Sequence, residues 1–138
     1  MLKKMTDITN EEAIQFLKDN QAKKEQVAYD SADHWLGCYV RKSRYSLTFK
    51  KLVGVVGISG TKNVARIKGL YVLQDYRHKH IGIKLVQLLL DQPEFWQKKR
   101  STLFATRRSK GLFEQVGYKV KSINKYDISF MEKSVHRE

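Results

Sequence analysis

The stretch LYVLQDYRHKHIGIKLVQLLL, residues 70–90, limits the fold more than any other part of the chain. It opens with apolar and β-branched residues suited to a strand, passes through a polar turn and then changes period. Ile81, Leu85, Leu88 and Leu89 fall at i, i+4, i+7 and i+8, the spacing of one buried helical face. Val86 and Leu90 widen the stripe, as for a helix lying on a sheet, and Pro93 stops it. The turn between strand and helix has an unexpected charge. Arg77, His78, Lys79 and His80 stand in front of the helix's positive end, where cations are disfavoured. An anion lying among them removes the conflict, because first-turn N–H groups lack intrahelical partners and point at whatever lies ahead. Gly82 lets the backbone approach a phosphate closely, and Arg77, Lys79 and Lys84 add charge, so a diphosphate suits the turn.

The rest of the chain supplies a sheet for that helix. Thr9 and Glu12 form a capping box ahead of Ala13, Ile14, Phe16 and Leu17, which predicts a first helix; a weaker one is expected over Lys23–Tyr29. HWLGCYVRK (34–42), KLVGVVGIS (51–59) and VARIKGLYVL (64–73) read as strands, with a turn at 59–63. Residues 43–49 form a hairpin tip or a strand extension. STLFAT (101–106) reads as a strand, 109–117 as a short helix closed by Gly117, and 118–123 and 126–131 as two last strands. The expected order is helix, helix, then β-β-β-α-β-α-β-β. No repeat or linker divides residues 1–138, so one domain is expected.

Charge separates possible partners. The chain has 27 Lys and Arg against 14 Asp and Glu, a net +13, which favours encounter with nucleic acid, anionic cofactors or acidic proteins. Bases recur at 41–44, 50–51, 98–100 and 107–110, with Trp35, Tyr39, Tyr45, Phe49 and Trp96 among or near them. Exposed aromatics in such company stack on nucleobases. The single Cys38 excludes an internal disulfide and fits a reducing, cytoplasmic setting. No run is long and apolar enough for a membrane span, and the polar start predicts no signal segment. His34, His78, His80 and His136 show no metal-ligand spacing, so no metal is expected.

The segment around Arg77-His78-Lys79-His80-Ile81-Gly82 resembles the central motif of the GNAT (Gcn5-related N-acetyltransferase) superfamily, a strand, then Arg/Gln-x-x-Gly-x-Gly/Ala opening a helix. LFATRRSKGLFEQVGYKV resembles that superfamily's second strand and helix, and the likeness runs from about Trp35 to Met131. It implies an α/β (α+β) fold: a mixed, mostly antiparallel central sheet with helices on both faces. It also implies an acyltransferase using acetyl-CoA or another acyl-CoA. The diphosphate would meet the backbone N–H groups of His78, Lys79, His80, Ile81, Gly82 and Ile83, with Arg77 adding charge. The pantetheine arm would lie between Leu70, Tyr71 and Val72 on one side and the strand ending at Thr106 on the other, with Phe113 nearby.

Three positions depart from the family pattern. His80 replaces the first glycine, Lys68 stands where an acidic general base is common, and Phe113 replaces the tyrosine that commonly protonates the leaving thiolate. Attack by a free amine depends strongly on proximity and orientation, worth as much as ~7–11 kcal/mol, so transfer without those groups is feasible. Tyr71, Tyr118 and Tyr126 are the candidate replacements, with His34 and Cys38 on the strand over 34–42, where an inert buried thiol is the expected role of Cys38. His34, Trp35, Arg41, Arg44, Lys68, Arg107 and Arg108 are the candidate acceptor-binding residues. The surplus of bases points to an amine on a nucleic-acid-linked acceptor. Within the superfamily this suggests adenine in DNA, as in a phage-type branch, or aminoacyl-tRNA. A non-catalytic nucleic-acid or protein-binding module and a conventional protein or small-molecule acetyltransferase are the alternatives, as monomer or homodimer.

Overall fold

The computed structural model describes residues 2–41, 51–92, 95 and 98–135. The chain runs β1 (Lys3–Ile8), α1 (Asn10–Asp19), β2 (His34–Val40), β3 (Lys51–Gly60), β4 (Val64–Val72), α2 (Ile81–Leu90), β5 (Arg100–Ala105), α3 (Lys110–Gln115), β6 (Lys119–Ile123) and β7 (Ser129–Ser134). The strands form one sheet in the order β1-β2-β3-β4-β5-β7-β6. Every neighbouring pair is antiparallel except β4 and β5, which are joined through α2 and run parallel.

The two faces of the sheet are covered differently. Ile81, Leu85, Val86 and Leu89 of α2 and Phe113 of α3 pack on Leu36, Val40, Val56, Ile67 and Leu103. On the other face Ala13, Phe16 and Leu17 of α1 pack on Trp35, Val55 and Tyr71. The capping box is formed: Thr9 Oγ1 accepts from the Glu12 N–H at 3.1 Å, and Glu12 Oε1 accepts from the Thr9 N–H at 3.0 Å. One member of the expected α2 stripe, Leu88, points outward and is exposed.

Three expectations are corrected. A strand, β1, precedes the first helix; it pairs with β2 alone, and an edge strand carrying Lys3, Lys4 and Asp7 lacks an apolar alternation to mark it. The expected helix over Lys23–Tyr29 is only a 3₁₀ turn, Ala22–Glu25, bounded by Gln21 and Gln26 in left-handed conformations (φ 54° and 65°). The last strand begins later than expected. Asn124 Oδ1 accepts from the N–H groups of Tyr126 and Ile128, and Asp127 adopts φ 62°, so residues before Ser129 form a turn. Residues 43–49 and Pro93 lie outside the described residues.

One feature of the sheet positions the site. β4 and β5 pair only where Val64–Arg66 meet Arg100–Thr102, and the ladder ends there. β4 also bulges: Gly57 pairs with Lys68 and Val55 with Tyr71, so Gly69 and Leu70 together oppose Val56. Gly69 has φ +66°, and a Cβ there would lie 2.7 Å from the Trp35 ring. The bulge thus lies in the part of β4 that has already parted from β5, where the sheet is open.

Trp35 is 1% exposed, and its Nε1 donates to Asn10 Oδ1 at 2.6 Å. A Cβ at Gly57 would meet its ring atoms at 2.8–2.9 Å. Gly57→Ala is therefore expected to destabilise the fold by about 1–3 kcal/mol, read as a lower urea midpoint at unchanged slope. Gly111, in α3, has open space where its Cβ would stand. Gly111→Ala is expected to gain up to about 1 kcal/mol in the same assay.

Candidate active site

The opening between β4 and β5 is the floor of a groove of about 1220 Å³. Lining it are residues 70–72 at the end of β4, 74 and 76–78 in the turn that follows, 80–83 at the start of α2, 106–109 after β5, Leu112 and Gln115 of α3, and 24–27 after α1. The first turn of α2 faces this space without a side-chain cap and carries no acid. Its free N–H groups and dipole make that end of the groove an anion site.

The turn before α2 explains the departure at position 80. His78 and His80 adopt φ 61° and 62°, the left-handed conformation that glycine reaches without strain. The backbone thus keeps the glycine-like path although the side chain differs. His80→Gly is expected to remove about 1 kcal/mol of local strain and to leave cofactor affinity intact, whereas His80→Val should add strain and lower both stability and affinity. Thermal unfolding with and without acetyl-CoA distinguishes these outcomes.

Further along the groove a single carboxylate joins its walls. Glu25 Oε2 accepts from the Tyr71 phenol at 2.5 Å and from Arg77 Nη2 at 3.1 Å. Glu25 Oε1 pairs with Arg77 Nη1 at 2.8 Å and with Arg108 Nη1. Arg77 is further held by donating from Nε to the Val72 carbonyl at 2.8 Å, and it stacks 5.3 Å over the Tyr71 ring. Its guanidinium anchors the turn to β4 and Glu25, so the anion site relies on backbone N–H groups more than on this side chain. Burial, the hydrogen bond to Glu25 and that carboxylate's charge push the Tyr71 phenol up to about 12. At neutral pH Tyr71 keeps its proton and holds Glu25 in place.

Glu25 is the one acid among the described residues lining the groove. Its donors come from 46, 52 and 83 positions away in sequence. No motif or periodicity marks it, and the sequence reading missed it. Tyr71, Arg77 and Arg108 fill the acceptor positions of this carboxylate, so it would hold an incoming ammonium and take its proton only by releasing one of these donors; Lys68, a cation, offers no acceptor at all. Lys68 Nζ instead donates to Asp30 Oδ1 at 2.6 Å and to the Ser31 carbonyl at 2.9 Å.

The other expected site residues divide clearly. Leu70, Tyr71, Val72, Arg77, His78, His80, Ile81, Gly82, Ile83, Thr106, Arg107 and Arg108 line the groove. Lys79 does not, and its carbonyl accepts from Lys3 Nζ at 3.2 Å. Phe113 and Tyr118 are corrected: both are buried in the core under α2, their rings 5.7 Å apart. Tyr118 shares a 2.6 Å hydrogen bond with Ser101, and burial raises its phenol pKa, so it serves packing. Tyr126 is exposed on the turn before β7, and its carbonyl accepts from Gln26 Nε2 of the groove segment. Trp35 belongs to the core, not to acceptor binding. His34 pairs with Asp7 on β1 at 3.0 Å, and Arg41 follows the far end of β2. Neither lines the groove. Arg44 lies outside the described residues. Buried Cys38, its thiol pKa raised by desolvation, also belongs to the core.

A family model described as an acetyltransferase (GNAT) domain matches residues 31–120, which include the opened strand pair, the α2 turn and the start of β6. The chain belongs to the GNAT acetyltransferase family. It is therefore an acyl-CoA-dependent N-acyltransferase, and acetyl-CoA is its cofactor. No protein with a curated description matches the chain significantly. Solved structures match its fold at low identity. The acetyltransferase is similar to PaiA N-acetyltransferase from Thermoplasma acidophilum in complex with coenzyme A. That match has 15% identity and a TM-score of 0.71, covering 97% of this chain and 99% of that one. It is similar to a GNAT-family acetyltransferase from Staphylococcus aureus Mu50, at 13% identity and a TM-score of 0.73, covering 98% and 100%. It also matches N-acetylglutamate synthase from Neisseria gonorrhoeae, complexed with coenzyme A and N-acetyl-glutamate. There the identity is 12% and the TM-score 0.72, over 99% of this chain and 36% of that one.

The groove of this acetyltransferase fits the cofactor. The uncapped N–H groups at residues 81–83 would hold the diphosphate, and the gap between β4 and β5 would admit the pantetheine arm. Bound acetyl-CoA supplies the activated acyl thioester. The chain's own contribution would be to orient it along the opened strand pair, whose walls Glu25 ties together.

Proposed function

We propose that this acetyltransferase transfers its acyl group to an amine on an anionic, nucleic-acid-linked acceptor. The two chemical forms that suit it are an exocyclic amine of a DNA base and the α-amine of an aminoacyl-tRNA. The observation that carries the reading is the charge of the groove rim on the side of the sheet that bears Tyr71. Lys24, Arg107 and Arg108 line it; Arg108 shares Glu25 with Arg77, and the Arg107 side chain is 89% exposed although it stands 3.8 Å from Asp127. One cofactor needs only some of these cations. A cationic small amine would be repelled by the remainder, whereas a phosphate backbone would be drawn to them. The net charge of +13 supports the same preference. An acceptor of either kind, like the cofactor, supports a reaction inside the cell.

The test is an acceptor panel with acetyl-CoA, following release of the free CoA thiol. Single-stranded DNA and aminoacyl-tRNA are compared with a polyamine, a lysine-containing peptide and a small neutral amine. A nucleic-acid-linked acceptor should give a kcat/KM roughly tenfold or more above the others and lose that advantage as salt rises. Faster transfer to the polyamine or peptide, insensitive to salt, would rule the reading out.

A further inference from the structure

We propose that the uncovered sheet face beside the groove is a stacking platform for unpaired nucleobases of the acceptor, centred on Phe104 and Phe130. The inference rests on the nucleic-acid-linked acceptor argued above and adds where that acceptor lies.

Alternation defines the face. Ile67, Leu103, Ala105 and Met131 point into the core beneath α2, so Arg66, Lys68, Phe104 and Phe130 point to the opposite side. Among the described residues, α1 covers that side over Trp35, Val55 and Tyr71. Phe104 is 55% exposed at the centre of β5, where an ordinary solvent-facing strand position carries a polar residue. Phe130, opposite it on β7, is half-buried, with ring centroids 5.2 Å apart and planes at 46°. The Arg66 guanidinium lies 5.0 Å from the centroid of the Phe104 ring. Aromatic rings bordered by guanidinium groups on an open sheet are suited to bases, since every base has a π-face.

Charge selects the occupant. Arg66, Lys68 and Arg100 stand on this face, and Lys119 of β6 is in register with Glu132. The acids here, Asp30 and Glu132, already hold Lys68 and Arg100 at 2.6 and 3.3 Å. The face is net cationic. A second copy of the chain docked on it by two-fold symmetry would set these cations against one another, whereas phosphates between bases would complement them. The platform is also continuous with the groove. Phe104 is two residues from Thr106, which lines the groove, and Arg107 and Arg108 follow directly. A base stacked on Phe104 would therefore leave the neighbouring nucleotide, or the aminoacyl end of a strand, at the opening near Glu25.

The experiment is fluorescence anisotropy of a labelled single-stranded oligonucleotide of about a dozen nucleotides, as DNA and as RNA, titrated with the full chain at low and physiological salt. Phe104→Ala should weaken binding about tenfold or more, Phe104→Tyr should restore it, and Arg66→Ala should weaken it and lower the salt slope by about one. The thermal shift given by acetyl-CoA should be the same in all three variants, which establishes that their groove is intact. If the wild type binds and Phe104→Ala binds equally well, the platform is wrong while the nucleic-acid reading stands. If the wild type binds neither oligonucleotide, both are wrong. Sedimentation velocity adds a further outcome: a wild-type dimer made monomeric by Phe104→Ala would show that a second copy occupies the face, and would overturn the proposal.

Discussion

Gly82→Glu is expected to abolish acetyl-CoA binding while leaving the fold at least as stable as the wild type. Gly82 sits in the first turn of α2 and lines the groove. A carboxylate there complements the helix dipole, worth about 0.3–1 kcal/mol, so unfolding should not become easier. It would occupy the place where the diphosphate approaches. Two like charges about 4 Å apart near a protein surface repel by about 4 kcal/mol, and solvent reduces this. The expected outcome is a rise in the dissociation constant of roughly a hundredfold or more, measured by calorimetric titration, with kcat/KM falling in step. Gly82→Ala is the steric control. Its Cβ would stand 3.1 Å from Leu112 Cδ1, the end of a flexible side chain, and should cost under about 1 kcal/mol. If Gly82→Glu binds acetyl-CoA as the wild type does, the diphosphate is not at α2.

Glu25→Gln should separate binding from chemistry. The amide keeps the size of the side chain and still accepts from the Tyr71 phenol. It loses the charge that balances Arg77 and Arg108 and can no longer take a proton. General base assistance is typically worth about 10²–10⁴-fold, so kcat should fall by about a hundredfold. KM for acetyl-CoA should hold or fall, because Arg108 is released toward an anionic cofactor. A loss of cofactor affinity with unchanged kcat would make Glu25 a structural tie only. Tyr71→Phe provides the comparison. It removes the 2.5 Å hydrogen bond without removing the carboxylate, and its effect on kcat should be the smaller of the two.

The parts of this enzyme that were legible in sequence are those written in neighbouring residues. The period of Ile81, Leu85 and Leu89, the capping box at Thr9 and Glu12, and the basic turn before Gly82 each lie within a few positions, and each gave its element directly. The sheet interior was legible because β2, β3 and β4 are rich in apolar and β-branched residues. β1 was not, since an edge strand needs only one paired side and can carry lysines there. Trp35 was misread for a related reason. A tryptophan among bases has the appearance of an exposed stacking residue, and only the close approach of Gly57 and Gly69 to its ring reveals a buried one. The same confusion hid the aromatic pair that is open, because Phe104 and Phe130 lie on different strands and meet only in the sheet. Glu25 was invisible for the strongest reason. Its identity as a site residue exists only once Tyr71, Arg77 and Arg108 have been brought to it by the fold.

The most direct test of an anion held at the start of α2 is a calorimetric comparison of acetyl-CoA with S-acetyl-pantetheine, which keeps the thioester and arm but lacks the diphosphate and the adenosine 3′-phosphate beyond it. Charge-assisted hydrogen bonds to backbone N–H groups contribute about 1.5–3 kcal/mol each. Two of them predict that acetyl-CoA binds at least roughly a hundredfold more tightly, and that Gly82→Glu erases the difference. Equal affinity of the two compounds for the wild type would contradict the cradle, leaving the basic turn before α2 without the ligand that explains it.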